Sequence, residues 1–199
     1  MDKVVIGIDA GTTAVKAVAF TLEGDIASTA HRSVPVEYGK HGEAEQDMQQ
    51  IWEAVADCLV DVTAAVSDCE VVGVGVTGQG DGCWMLDKQN RPLRKAAIWM
   101  DGRAAKRTDS WTADGRAKTM SDVTGTAVFP GIAPILLEEF EEEEPGFLDT
   151  VGTLFNCKDW VRYNLTGEIA TDYTEASQQF LNLSNPVEHD HAFAREMGL

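Results

Sequence analysis

The stretch VVIGIDAGTTAVKAVAFTLEGDIASTAHRSVPV, residues 4–36, decides the fold. Val4 to Ile8 is a short apolar run that stops at Asp9-Ala10-Gly11, as a buried strand followed by a turn does. From Ala14 to Leu22 the side chains alternate: Val15, Ala17 and Ala19 point one way, and Lys16, Val18 and Phe20 the other. After a turn at Glu23-Gly24-Asp25, the small and β-branched residues of Ile26 to Val36 suit a third strand. Connections this short make an antiparallel meander. A dinucleotide-binding fold opens strand-helix-strand, so that class is excluded.

Outward from this meander, EYGKHGEAEQ (37–46) reads as a polar loop. Asp47, with Gln50 three residues on, is a capping-box-like start. Ile51, Trp52, Val55, Leu59, Val62 and Val66 then recur at helical spacing, which predicts a helix over about 48–66. EVVGVGVT (70–77) reads as a strand ending in Gly78-Gln79-Gly80-Asp81-Gly82. Short strands are expected at 83–86 and 95–99, helices at 103–112, 115–122 and 133–141, and a strand ending at Leu154-Phe155. A helix carrying Trp160, Val161 and Leu165 should close at Gly167, and 171–180 should begin an extended stretch. No internal repeat or linker interrupts the 199 residues.

Composition narrows the function. The 16 Lys and Arg against 33 Asp and Glu give a net charge of −17, which repels nucleic-acid phosphates and anionic lipid. No apolar run reaches the ~18 residues of a membrane span, and no secretory leader is evident, so a cytoplasmic protein is expected. Cys58, Cys69, Cys83 and Cys157 form no CxxC pair and have no zinc-like spacing, so reduced thiols are expected. The six glutamates within 138–144 read as a solvated face.

Chemistry concentrates at two glycine-rich turns. In GIDAGTT (7–13), Gly11 lets a ligand approach the backbone, and the amides with Thr12 and Thr13 can bond phosphate oxygens. A carboxylate beside phosphate repels it unless a cation lies between them, so Asp9 reads as a Mg²⁺ partner and Lys16 as a source of positive charge. On spacing alone, a Gly-Thr hairpin with a solvated Asp stands beside this reading. In the second turn, Gln79, Gly80 and Asp81 end a strand, where side chains can meet a polyol; Trp84 or Trp99 can wall its carbons. The solvated strand-end turn is the alternative there.

Four collinear stretches resemble the FGGY carbohydrate kinases, the family of glycerol kinase and xylulokinase. GIDAGTTAVKAV (7–18) is similar to their phosphate loop, and EAEQDMQQIW (43–52) to the stretch before their first long helix. VGVTGQGDGCWMLDKQNRPLRKAAIWMDGRA (74–104) is similar to their substrate segment, and NCKDWVRYNLTGEIATDYTEAS (156–177) to another recurrent stretch. The resemblance implies an α/β fold of the ribonuclease H-like, actin and hexokinase ATPase type. It would have a mixed sheet, three antiparallel strands first and helices packed on both faces. Residues 1–199 would then be most of the N-terminal, sugar-binding domain, with the C-terminal ATP-binding domain outside this chain.

The implied reaction is ATP-dependent phosphorylation of a sugar or polyol hydroxyl, with xylulose, L-xylulose, ribulose and erythritol as candidates. ATP and Mg²⁺ are the implied cofactors, a small-molecule sugar or polyol the partner, and a homodimer a possible assembly. Asp9 would hold the metal, and Gly11, Thr12, Thr13 and Lys16 the ATP phosphates. Gln79, Gly80, Asp81, Trp99 and Asp101 would bind substrate, with Arg103 bracing a carboxylate beneath the pocket. Glycerol kinase has arginine and glutamate where Gly80 and Asp81 stand, and a substrate-binding tyrosine where Gly131 stands; both differences imply another or larger substrate. The family's catalytic aspartate lies in a later Gly-Asp motif, so the fragment is expected to be inactive alone. Asp159, Asp172 and Glu175 are not candidates for the base. The competing readings are an actin- or chaperone-like ATP-binding protein on the same superfold and a non-catalytic sugar-sensing module.

Overall fold

A computed structural model describes residues 1–199 except 177, 178, 186 and 187. In chain order its elements are β1 Lys3–Ala10, β2 Ala14–Thr21, β3 Ile26–Ser33, β4 Glu37–Tyr38, β5 Ala44–Gln46, α1 Met48–Ala65, β6 Glu70–Gly78, β7 Trp84–Asp87 and β8 Ala96–Ala97. There follow α2 Ala105–Asp114, α3 Arg116–Thr124, α4 Ala133–Glu143, β9 Val151–Phe155, α5 Cys157–Thr166, α6 Tyr173–Ala176 and α7 His191–Glu196. They fall into two compact units. The first comprises residues 1–36, 46–79 and 157–169, the second 37–45, 80–156 and 170–199.

The first unit is built on a four-stranded mixed sheet, ordered β3-β2-β1-β6. The meander supplies the antiparallel pairs, and α1 carries the chain across so that β6 pairs parallel with β1. The pleat sorts the side chains. Ile6, Ile8, Val15 and Ala17 are buried on the face that α1 covers, where Ile51, Val55 and Val62 meet them. Each fully buried aliphatic side chain of this kind contributes ~1.5–3 kcal/mol. The α5 helix packs on β1 and β6, and its Trp160 Nε1 donates to the Met48 carbonyl of α1 at 2.7 Å.

The mixed sheet led by three antiparallel strands is as expected. Helices pack on this sheet as expected, and in the first unit those described are α1 and α5. Among the described residues, α1 and α5 cover one face, while Asp9, Lys16 and Thr77 on the other are exposed.

Asp47 caps α1, its carboxylate accepting from the amides of Gln49 and Gln50. Gly167, at φ +74, closes α5 with its amide on the Tyr163 carbonyl at 2.7 Å. β3 stops at Ser33, short of the predicted Val36, because Pro35 has no amide to give a ladder. The predicted polar loop at 37–46 contains the β4–β5 hairpin, with Glu37 opposite Glu45 and Tyr38 opposite Ala44. Its buried positions are Ala44 and Gln46, too few and too polar to show as a strand in the sequence.

The second unit has a three-stranded sheet, β4-β5-β8, and a β7–β9 pair. Its apolar core includes Met85, Trp111, Met120, Ile135, Leu136 and Phe140. The glutamates of α4 are not simply solvated: Arg107 pairs with Glu138, Glu139 and Glu142, and Glu141 accepts from the amides of Gly146 and Leu148. The predicted extended stretch at 171–180 is helical at Tyr173–Ala176, with Asp172 Oδ1 accepting from the Thr174 amide at 2.9 Å; its residues 177 and 178 lie outside the described residues. The four cysteines are free thiols. No helix among the described residues is long and apolar enough to cross a membrane.

Removing the α1 cap tests this account of the first unit. Asp47→Ala should lower stability by about 1 kcal/mol in urea unfolding, with the slope unchanged.

Candidate functional site

In the first unit, the β1–β2 register sets Asp9 directly opposite Lys16. The intervening turn closes through the Gly11 amide and the Ala14 carbonyl at 3.1 Å; a Cβ on Gly11 would lie 3.1 Å from that same oxygen. Asp9 and Lys16 are both exposed on the open face of the sheet. Beside them Gly7 of β1 pairs with Gly75 of β6, leaving a floor without side chains. A groove of about 480 Å³ results, lined by Gly7, Asp9, Lys16, Phe20, Gly75 and Thr77.

Ile8, Val18 and Val76 complete the lining, so the groove is mainly apolar and carries one exposed carboxylate and one exposed ammonium. No group of three metal-ligating side chains occurs among the described residues. Mg²⁺ keeps several waters and is held by one or two carboxylates together with phosphate oxygens; the exposed Asp9 offers one carboxylate here. Thr13 is exposed at the tip of the turn, and its carbonyl accepts from the Val34 amide at 3.0 Å.

The neighbouring Thr12 is bound into a buried amide network. Its hydroxyl donates to Gln79 Oε1 at 3.2 Å, and its carbonyl accepts from Gln46 Nε2 at 2.9 Å. Gln79 Nε2 donates to Gln46 Oε1 at 2.6 Å, and Gln46 Nε2 also reaches the Pro35 carbonyl at 3.1 Å. Gln79 was expected to meet substrate. Instead both ends of its amide are engaged within the first unit, and the side chain is 8% exposed. It ties the strand end of β6 to the β1–β2 turn. Gln46, 1% exposed, went unnoticed in the sequence. Its one signal was a polar residue directly before a helix cap, inside the EAEQD stretch.

In the second unit, Gly80, Asp81 and Gly82 form a tight loop. Asp81 is left-handed at φ +58 and Gly82 at φ +83, and a Cβ on Gly82 would lie 2.4 Å from the Ala97 carbonyl. Asp81 Oδ1 is buried with no hydrogen-bond partner among the described residues. Burial, and then the nearby Glu175 carboxylate, push the Asp81 carboxyl up to about 6. Glu175 projects from α6 and is 8% exposed; a Cβ on Gly80 would lie 3.5 Å from both of its carboxylate oxygens. A Cβ there would be in ordinary van der Waals contact with the Glu175 carboxylate, so residue 80 lies directly against it. The sequence reading left Glu175 out of the substrate set, since nothing in its spacing brings it to Asp81.

Asp101 requires a correction. It was expected to accept from substrate hydroxyls, yet its side chain is fully buried and internally satisfied. Its oxygens accept from the Ala44 amide at 2.9 Å and from three Arg103 nitrogens at 2.7–3.0 Å. Arg103 also reaches Glu45 at 2.6 Å, and this is the bracing role expected of it. Asp101 holds the β4–β5 hairpin and Arg103 together. Trp99 is 45% exposed, open enough to serve as a wall. Gly131 has a steric reason of its own, because a Cβ there would lie 2.1 Å from the Trp99 carbonyl oxygen.

Residues 4–198 match the sequence profile described as the FGGY family of carbohydrate kinases, N-terminal domain. The erythritol kinase of Brucella abortus (strain 2308) is 37% identical over 199 residues, covering 98% of this chain and 38% of the relative. The probable L-xylulose kinase of Pasteurella multocida (strain Pm70) is 29% identical over 196 residues, covering 98% and 41%. Among solved structures, the gluconate kinase of Lactobacillus acidophilus superposes with a TM-score of 0.93 at 24% identity, covering 100% of this chain and 40% of that one; this likeness speaks for the fold. The chain thus spans about two fifths of the length of these relatives.

Two outcomes follow from the second unit. The folded Asp81 carboxyl keeps its proton up to about pH 6, whereas an unfolded one releases it near 4. Its stabilising effect is complete below pH 4 and is lost as pH rises through 6. Urea unfolding across this range should show Asp81→Asn gaining on the wild type as pH rises, then holding a constant difference; a difference that never varies would mean Asp81 titrates as an ordinary exposed carboxylate. Gly131→Ala should lower stability by more than about 2 kcal/mol, because its Cβ meets backbone that cannot yield.

Proposed function

The chain belongs to the FGGY family of carbohydrate kinases, and from that membership we propose that the full-length protein transfers the γ-phosphoryl group of ATP to a hydroxyl of a neutral polyol or ketose. The observation that carries this reading is the Asp9–Lys16 pair, exposed beside a glycine floor on the one sheet face that α1 and α5 leave open. Gly11, Thr13 and the turn amides contact the phosphates there. Lys16 adds positive charge, and Asp9 orients the hydrated Mg²⁺. When bound, the metal neutralises charge on the phosphates.

For the substrate we propose Gly80, Asp81 and Trp99 as the contacting set, and not Gln79 or Asp101. Asp81 accepts from a hydroxyl, Gly80 admits the substrate beside the loop, and the Trp99 ring walls its carbons. The Asp81 carboxylate of this loop and the neighbouring Glu175 carboxylate of α6 favour a neutral hydroxyl donor and repel an anionic sugar acid. That argues for erythritol, xylulose, L-xylulose or ribulose ahead of an aldonate such as gluconate, although the fold superposes on a gluconate kinase. The similarity to an erythritol kinase puts erythritol first among the four. Phosphoryl transfer also needs a group to take the hydroxyl proton, and no residue of this chain is assigned that task. The 199-residue chain alone is therefore expected to give no steady ADP production.

A coupled ADP assay of the full-length enzyme across neutral polyols, ketoses and aldonates tests the reading. ATP-dependent turnover of a neutral member is expected; absence of turnover with all of them removes the assignment. Asp9→Ala should lower kcat by about a hundredfold or more while leaving the polyol KM within about threefold. Asp81→Ala should raise the polyol KM about tenfold without altering the KM for ATP.

A further inference from the structure

In the second unit, Trp99 and Met100 form the tip of a tight turn, closed by the Asp101 amide on the Ile98 carbonyl at 2.8 Å. Ala44 clasps both ends of that turn. Its carbonyl accepts from the Ile98 amide at 3.0 Å, and its amide donates to Asp101 Oδ2 at 2.9 Å. The buried Arg103 guanidinium grips the same carboxylate through Nε and Nη2, at 2.9 and 2.7 Å, and so fixes its orientation toward Ala44. Gly131 lies against the tip: a Cβ there would stand 2.1 Å from the Trp99 carbonyl oxygen and 3.0 Å from the Trp99 Cα. The same glycine carries the Asp81 loop, because its carbonyl accepts from the Gly82 amide at 3.0 Å. Gly82 is itself pressed onto the 97–98 backbone, where a Cβ would lie 2.4 Å from the Ala97 carbonyl oxygen and 3.0 Å from the Ile98 Cα. Asp81 precedes Gly82 and Trp99 follows Ile98, so their Cα atoms are no more than about 12 Å apart. Backbone seated on backbone at two glycines joins the loop that carries the carboxylate to the turn that carries the ring.

We propose that Asp101 and Gly131 are positioning residues that act through Trp99. Asp101 pins the ends of the turn, Gly131 seats its tip, and together they fix the separation between the Trp99 ring and the Asp81 carboxylate that a polyol must span. This rests on the kinase reading above, in which Asp81 and Trp99 contact the substrate. The role is one of orientation: a wall held within a fraction of an ångström keeps the substrate carbons in place, and a displacement of about 1 Å is costly to recognition. A Cβ at residue 131 would force a displacement of that size, since no side-chain rotation relieves a clash between two backbones. Residues that merely stabilise the fold would, when substituted, lower stability and leave the folded enzyme's recognition of substrate as it was. Positioning residues alter that recognition, and only while Trp99 is present.

The test is steady-state kinetics of the full-length kinase, with ATP and with the best used of erythritol, xylulose, L-xylulose and ribulose, alongside urea unfolding. Trp99→Ala is the reference and should raise the KM for that substrate about tenfold. Asp101→Asn keeps an acceptor for the Ala44 amide, and Arg103 keeps its bond to Glu45 at 2.6 Å. It should raise the substrate KM about threefold to tenfold and leave the KM for ATP within about twofold of wild type. Introduced into Trp99→Ala, the same substitution should change the substrate KM by less than about twofold while its cost in urea persists, because the side chain through which it acts is gone. Gly131→Ala should show the same split from the other side of the turn, and either variant suffices should the other not fold. The positioning role is overturned if the two KM values rise together, if the folded variants keep the wild-type substrate KM, or if the effect is as large without Trp99 as with it. Trp99→Ala with a wild-type substrate KM overturns the wall assigned to Trp99 and the positioning role with it. A wild-type enzyme that phosphorylates none of the four overturns instead the kinase reading on which the proposal rests.

Discussion

The two-residue period of β1 and β2 is the constraint on which the rest of the first unit depends. Opposite faces of one hairpin do incompatible jobs, and the pleat keeps them apart. Ile6, Ile8, Val15 and Ala17 go beneath α1, so Asp9 and Lys16 must come out on the far side, facing each other across the ladder. A slip of one residue would bury a carboxylate and an ammonium under α1 and expose four core side chains. The burial that holds the sheet in register is thus the same force that presents the pair. Gly7 and Gly75, paired beside them, contribute no side chain to that face.

Two buried carboxylates in the second unit show how partners decide what burial does. Asp101 is fully buried but clamped by the Arg103 guanidinium and the Ala44 amide, so its charge is compensated and it holds a hairpin in place. Asp81 has a buried oxygen with no donor among the described residues and a second carboxylate nearby, so burial is felt as a raised proton affinity. Groups with that signature cluster at functional positions. The same residue type therefore serves as an anchor at one place and as a candidate ligand-reading group at another. The difference lies in one arginine two residues along the chain from Asp101, for which the Asp81 loop has no counterpart.

The polar network around Gln46 extends this logic to neutral groups. Buried amides must be satisfied, and each satisfied end dictates the next. Gln46 bonds the carbonyls of two residues on the meander and the side chain of a third at the end of β6, so three chain segments share one hydrogen-bonded centre. The β1–β2 turn is held by that network as well as by its tight Gly11 closure.

Much of the fold was legible in the residues. The meander, the capped α1, the β6 strand with its glycine end and the Gly167 stop each follow from local patterns of period, capping or glycine, and each fixes backbone angles within a few residues. The turn carrying Asp9, Gly11 and Thr13 was legible for the same reason. Tertiary structure alone decided the roles of Gln79, Asp101, Glu175 and Gln46. Thr12 and Gln79 are 67 residues apart and Gln46 and Gln79 are 33 apart, and no local pattern records which of many polar residues will meet once the strands are side by side. Whether a carboxylate becomes an anchor, a neutralised acid or an open ligand depends on the donors that folding brings to it, and those come from elements distant in the chain.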